Sequence, residues 1–387
     1  MTMIWNLTEF TGFCSQPDIE IRDLTDPELA TRWLYSTADK FIIKVVVPIV
    51  SFLGIFGNGT FLYMCIRVKS LRSAPITAYL FSLAICDIAF LVSANVGYTL
   101  AIRSRISAKW PMNSSLECSV FSVFTHGWYF VSLGLITLIS VERYFAVCHP
   151  LKRINVSGRG RITKLVTAVW VLGFGVCLIL VPQYANFTYY CVIWPDTADF
   201  QDLPNMINDC EPVGNVAVIW GSLLSIVSMV LTMIVNIVMY VRIIVALRNR
   251  PSSSVTLKAD IIRYQITRTL IANGIIFFIC QLPYRLWTLD DLVDRVFENK
   301  DILESLEHET LVITVGRASA LLNSIINPYL YVFSCEHYRC ALVEAFCGNR
   351  RSSVPSQERR VQNVSKSIQM SRSTGISTTE PEKVNVV

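Results

Sequence analysis

The sequence predicts an all-α protein embedded in a membrane, a seven-transmembrane-helix bundle with a short amphipathic eighth helix. Three observations predict it. Of 387 residues, 52% are hydrophobic and only 16% are charged, against about 25% charge in soluble domains. Seven mostly apolar stretches occur, each at least as long as the roughly 20 residues that a spanning helix needs, the third and fifth running past the hydrocarbon. No stretch alternates as a barrel strand would, and lipid leaves helices as the other way to satisfy every backbone group.

The spans fall at 41–66, 76–101, 118–146, 164–184, 214–247, 264–289 and 309–334. They divide the chain into an outer N-terminal segment (1–40), the bundle (41–334), a juxtamembrane amphipathic helix (335–347) and a disordered cytoplasmic tail (348–387). The N-terminal segment lacks a basic start followed by an apolar core, so the first span is expected to act as an uncleaved membrane signal. Orientation follows from basic residues. Arg67, Lys69 and Arg72 follow the first span, Lys152, Arg153, Arg159, Arg161 and Lys164 the third, and Arg242, Arg248, Arg250, Lys258, Arg263 and Arg268 the fifth. These links share one side, which is therefore cytoplasmic, with the N terminus outside and the C terminus inside. Arg103, Arg105 and Lys109 oppose the assignment but are outnumbered.

Outer segments carry the sequons Asn6-Leu7-Thr8, Asn113-Ser114-Ser115 and Asn186-Phe187-Thr188, so Asn6, Asn113 and Asn186 are candidate glycosylation sites. Asn58 also begins a sequon but lies within the first span. Cys14, Cys118, Cys191 and Cys210 fall in or beside outer stretches, a compartment that permits disulfides. The tail is rich in Ser, Thr, Arg and Gln, with too little apolar surface to fold.

Polar groups inside spans are costly, and so are candidates for function. Asn58, Asp87, Ser132, Asn323, Ser324 and Asn327 together suggest one polar pocket at mid-depth. A carboxylate with hydroxyl and amide oxygens suits a small hard cation; a purely structural hydrogen-bonded knot is the plainer alternative. Glu142-Arg143-Tyr144 stands at the inner end of the third span, where an arginine can simply snorkel to headgroups. Pro283 and Pro328 weaken the sixth and seventh helices, since proline removes a backbone donor. Such weak points suit a bundle whose inner face opens.

Over residues 41–347 the chain resembles the rhodopsin-like (class A) G-protein-coupled receptors. The resemblance is carried by Gly57-Asn58, Leu83-Ala84 with Asp87, Glu142-Arg143-Tyr144, Trp170 and Asn327-Pro328-Tyr329-Leu330-Tyr331, with Cys118 standing 25 residues before Arg143. It implies a plasma-membrane receptor, not an enzyme, that activates a heterotrimeric G protein. It implies that Arg143, flanked by Glu142 and Tyr144, engages that protein after the sixth helix swings outward. Tyr240 and Tyr331 would support the active form, and Leu151 would insert into the G protein. Asp87, Ser132, Asn323 and Asn327 match the family's sodium pocket, and an allosteric sodium ion is the one cofactor to consider. Cys347, closing the amphipathic helix on the inner leaflet lipids, is a palmitoylation candidate. Tail residues Ser365 to Thr379 would be phosphorylated by a receptor kinase and read by arrestin. No nucleic-acid partner is expected.

The family bridges the third helix to the second outer loop. Cys191 and Cys210 compete for Cys118; Cys210, 22 residues before Thr232, fits the family's distance better, leaving Cys14 and Cys191 as a second pair. Connectivity is not fixed by sequence. Three positions depart from the family. Gln281 replaces its usual aromatic, the fifth helix lacks its proline, and Arg263 stands where an acid would lock Arg143.

The resemblance also narrows the ligand. Thr125 occupies the position of the amine receptors' Asp, and Leu321 that of the opsins' Lys. Tyr284 and Arg285 follow Pro283, and Arg317 lies ten residues before Asn327. This pattern looks like that of thyrotropin-releasing-hormone receptors and implies a neuropeptide ligand facing Thr125, His126, Tyr284, Arg285 and Arg317. His126 and Phe130 depart from the hormone receptors' Tyr and Asn. Guanidinium groups also suit the carboxylate of a lipid or small acid, the alternative ligand class. In the plainest alternative both arginines pair with outer acids such as Asp290 or Asp291.

Overall fold

The computed structural model describes residue 14 and residues 19–107, 112–150, 159–249, 257–297 and 309–348. Seven long helices follow one another: α1 (Val47–Arg67), α2 (Pro75–Ala101), α3 (Ser115–Cys148), α4 (Arg159–Leu180), α5 (Asn215–Arg248), α6 (Leu257–Phe297) and α7 (Glu309–Ser334). A shorter helix, α8 (Glu336–Cys347), comes last. Among the described residues, six helices are long and apolar enough to cross a bilayer; α7, whose first turns include undescribed side chains, is the seventh by sequence. The chain forms two compact units, Met1–Ala341 and Leu342–Val387.

The helices begin where their sequences place a start. Pro75 opens α2 at a position whose N–H would have no partner anyway. Ser114 caps α3 by accepting from the Glu117 N–H, and Glu117 puts a negative charge in the first turn. Lipid supplies no hydrophobic drive between helices, so small residues allow close approach. A Cβ on Gly127 would strike the Phe174 ring, one on Gly134 would lie 2.7 Å from a Val169 methyl, and one on Gly173 would lie 3.0 Å from the Val131 backbone nitrogen. These three glycines seat α3 against α4. Gly57 does the same for α1 and α7, where its Cβ would lie 3.0 Å from Pro328 and 3.1 Å from Tyr329.

A three-stranded sheet caps the end of the bundle where α3 begins. β1 (Glu20–Asp23) lies parallel to β2 (Asn186–Ile193), which pairs antiparallel with β3 (Met206–Glu211). A second hydrophobic core lies under this sheet. It joins Leu24 and Ala30 from the N-terminal segment, Ile106 after α2, and Val192, Phe200, Leu203 and Ile207 from the α4–α5 link. The described part of the N-terminal segment is thus packed onto the link after α2 and the α4–α5 link. Disulfides join Cys14 to Cys191 and Cys118 to Cys210. The third span extends beyond the expected 118–146, and the sixth beyond 264–289, because both helices continue past the apolar stretch into polar turns.

Candidate functional site

The outer half of the bundle collects aromatic and basic groups. Pro283 interrupts the α6 hydrogen-bond ladder, and the next residues, Tyr284 and Arg285, turn to the interior. Arg285 is 8% exposed. Its guanidinium stacks over the Tyr129 ring at 4.0 Å and the Tyr284 ring at 5.2 Å, and it donates to the Ser225 hydroxyl. No carboxylate among the described residues forms an ion pair with it; Asp291 instead accepts from Arg295 at 3.0 Å. A desolvated guanidinium held by π faces and one hydroxyl keeps donors for a further acceptor.

His126 faces the same region. Its ring stacks on Tyr184 at 5.0 Å, and its Nδ1 lies 2.9 Å from the Ser122 carbonyl. Thr125 turns its hydroxyl back to the Phe121 carbonyl at 2.7 Å. A cavity of about 30 Å³ lies beside these residues under the Cys118–Cys210 bridge, room for little more than water. α7 approaches Tyr284 through Gly316, whose Cβ would lie 3.1 Å from the Tyr284 backbone. Arg317 follows on the same helix; its side chain lies outside the described residues.

At mid-depth, Asn327 Nδ2 donates to Asp87 Oδ2 at 2.7 Å. Asn58 Nδ2 donates to the Ser324 carbonyl at 2.8 Å, and Asn58 is 1% exposed, which removes it as a glycan acceptor. Ser132 lies 3.3 Å from the Cys86 thiol. Asp87 Oδ1 and Asn323 Oδ1 are buried without a protein partner. Two such oxygens, one from a carboxylate, fit the needs of a hard cation.

The inner end centres on Arg143, 7% exposed, whose Nε donates to Glu142 Oε2 at 2.6 Å. Tyr144 bonds His149 Nε2 at 3.1 Å. Tyr331 is buried against Phe61 and receives a long hydrogen bond, 3.4 Å, from Asn273 Nδ2. Tyr240 shares a 3.0 Å hydrogen bond with Ser140. Pro328 lies within α7 beside Gly57. Leu151, Asn6 and the Ser/Thr-rich tail lie outside the described residues. Asn113, just before α3, and Asn186, the first residue of β2, are exposed, and Cys347 is exposed on α8.

Sequence reasoning passed over Asn236 on α5 and Asn273 on α6. Both are within 2% of full burial, and each leaves its Oδ1 without a partner. An amide in the middle of an apolar span was the sign that would have found them. Asp209, one of the acidic residues of the α4–α5 link, is half-buried on β3. Burial pushes its carboxyl up to about 6, against the Cys210 backbone N–H and the charge of Arg22, which pull it down.

The family model of the 7 transmembrane receptor (rhodopsin family) matches residues 57–331. The chain is 25% identical to the human cysteinyl leukotriene receptor 2, over 78% of this chain and 80% of that receptor. It is 24% identical to the neuromedin U receptor homolog nmur-2 of Caenorhabditis elegans, over 86% of each. A Gq-coupled rhodopsin of Mizuhopecten yessoensis is 31% identical over 42% of this chain, a match spanning 30% of that rhodopsin. A buried Arg143 at the inner end, an Asp87–Asn327 bond at mid-depth and a family match over most of the bundle converge on one conclusion. The chain belongs to the rhodopsin family of membrane-embedded, multi-pass G-protein-coupled receptors, which signal through heterotrimeric G proteins and are not enzymes.

Proposed function

We propose that this receptor is switched on at the plasma membrane by an extracellular neuropeptide, read in the outer half of the bundle. The observation that carries this is Arg285, buried on two tyrosines without a carboxylate partner among the described residues. A peptide carbonyl or terminal amide offers the planar acceptor that such a group recognises. Thr125, His126 and Tyr284 supply the surrounding wall, and Arg317 a second guanidinium from α7. The Pro283-Tyr284-Arg285 run, patterned as in thyrotropin-releasing-hormone receptors, and the similarity to a neuromedin U receptor homolog support a peptide.

A lipid or small-acid ligand is the second reading, favoured by the similarity to a leukotriene receptor. The same guanidinium would then hold a carboxylate. A screen of amidated peptides against fatty and organic acids, read by calcium and cyclic AMP, separates the two. On a peptide hit, Arg285→Ala and Arg317→Ala are each expected to lower potency by about tenfold or more, the cost of one charged hydrogen-bond donor, at normal surface expression. Unchanged potency in both places the ligand elsewhere.

The same reading assigns Asp87, Ser132, Asn323 and Asn327 to an allosteric sodium ion, and Arg143, with Glu142, Tyr144 and Leu151, to the G-protein face. Sodium would supply a compact positive charge; the chain's part is to offer oxygens in a dry site. The tail serves a receptor kinase and arrestin.

A further inference from the structure

Asn273 and Gly274 are consecutive on α6 and meet different helices. Asn273 Nδ2 reaches Tyr331 of α7. Gly274 has no side chain, and the Tyr240 phenol of α5 fills the space: a Cβ there would fall on the Tyr240 hydroxyl and lie 2.8 Å from Cζ. That hydroxyl is in turn hydrogen-bonded to Ser140 of α3 at 3.0 Å. Tyr240 and Tyr331 are 7% and 2% exposed, and Arg143, the group a G protein must reach, is 7% exposed. The inner mouth is therefore shut, and these contacts lie across it.

A lock from Arg143 to α6 through opposite charge has no acid at Arg263, which is exposed and carries the same sign. We propose that the Asn273-Gly274 pair replaces that lock. One residue ties α6 to α7 by an amide, and the next ties it to α5 and α3 by a notch that admits a phenol. Outward movement of α6 withdraws the notch from Tyr240 and parts Asn273 from Tyr331, and Arg143 is uncovered. The latch is neutral, so its strength does not depend on salt as an exposed ion pair would. It is also incompletely satisfied, since the Oδ1 atoms of Asn273 and neighbouring-helix Asn236 are buried without partners. Both oxygens gain hydrogen bonds once water enters the open mouth. Asn273, Gly274 and Ser140 are positioning residues: they act through the tyrosines on access to Arg143.

The proposal rests on the family's G-protein coupling, and the test separates the two. Purified full-length receptor in lipid nanodiscs is assayed without agonist, for GTP loading of added heterotrimer and, without heterotrimer, for amide hydrogen exchange along α6. Ser140→Ala and Asn273→Leu are each expected to raise basal loading by about threefold to tenfold, the population shift from losing one buried hydrogen bond. Both should speed exchange over 262–272 while leaving 284–292 as in the parent. Ser140→Ala combined with Tyr240→Phe should speed exchange over 262–272 no more than the larger single effect, because both delete the same bond. Asn273→Gln keeps the donor and should return loading to within about twofold of the parent. Gly274→Ala adds a clash and is a secondary variant, since it risks misfolding. Parent-like exchange over 262–272 in both Ser140→Ala and Asn273→Leu overturns the latch, as does lowered basal loading in either of these two when well folded. Faster exchange with no GTP loading by any variant or by the parent upholds the latch and counts against G-protein coupling.

Discussion

Arg143 and Glu142 are neighbours in sequence, both buried, and paired on one turn of α3. A buried pair costs most when one partner is removed, because the other is left charged and dry. Arg143→Ala should therefore do two separable things. It should abolish GTP loading while leaving antagonist affinity within about twofold, since the group lies at the opposite end from Arg285, and it should lower the thermal midpoint by taking the guanidinium away from the buried Glu142 carboxylate. Adding Glu142→Gln should recover the midpoint and not the loading. Asp209 gives a second prediction. Burial lifts its carboxyl from the ordinary 3.8 to about 6 in the fold, so the folded state binds more protons than the unfolded one between those values. Stability of the outer sheet is then greatest below the unfolded value and declines as pH rises through about 6. Exchange in β2 and β3, corrected for intrinsic rates, should be slower at acid pH than at neutral pH. Asp209→Asn should flatten that dependence, and a sheet equally protected at both pH values in the parent would refute it.

Among elements, the long helices are legible from sequence because lipid imposes length and apolarity on each in turn. Their contacts are less so. Gly173 and Gly175 look alike in sequence, yet a Cβ on Gly173 meets Val131 while one on Gly175 meets nothing within 4 Å. Gly173→Val is expected to destabilise the bundle by about 1–3 kcal/mol, as overpacking does, whereas Gly175→Val should leave the thermal midpoint within error. Unequal exposure of two similar glycines is a three-dimensional fact, and single-sequence reading has no access to it. The outer sheet is illegible for a different reason. β1 reads Glu20-Ile21-Arg22-Asp23, with one apolar residue in four, so nothing local marks a strand. Its place is set by partners far along the chain, through the Ile21–Cys191 register and the packing of Leu24 on Val192 and Ile207. The mid-depth cluster was readable residue by residue, since every member is polar in an apolar span. Ser132, which bonds Cys86, shows that shared depth does not settle who touches whom.

For the molecule as a whole, the residues that place the chain in its family run from α1 to α7, whereas those that build the sheet and its core lie before α1, after α2 and in the α4–α5 link. The first group is bound to the bilayer's demands and is open to reading. The second depends on pairings across more than a hundred residues, such as Cys14 with Cys191, separated by 177. Both disulfides share one topological property: each joins a residue before position 151 to one after position 158. The α3–α4 link therefore sits inside two covalent rings. A protease that cuts the chain once between 151 and 158 would release no fragment. The severed receptor should migrate as one band in denaturing gels without reductant, and as two after thiol treatment. A single pairing lost by mutation should leave the halves still joined, and only removal of both would let them part.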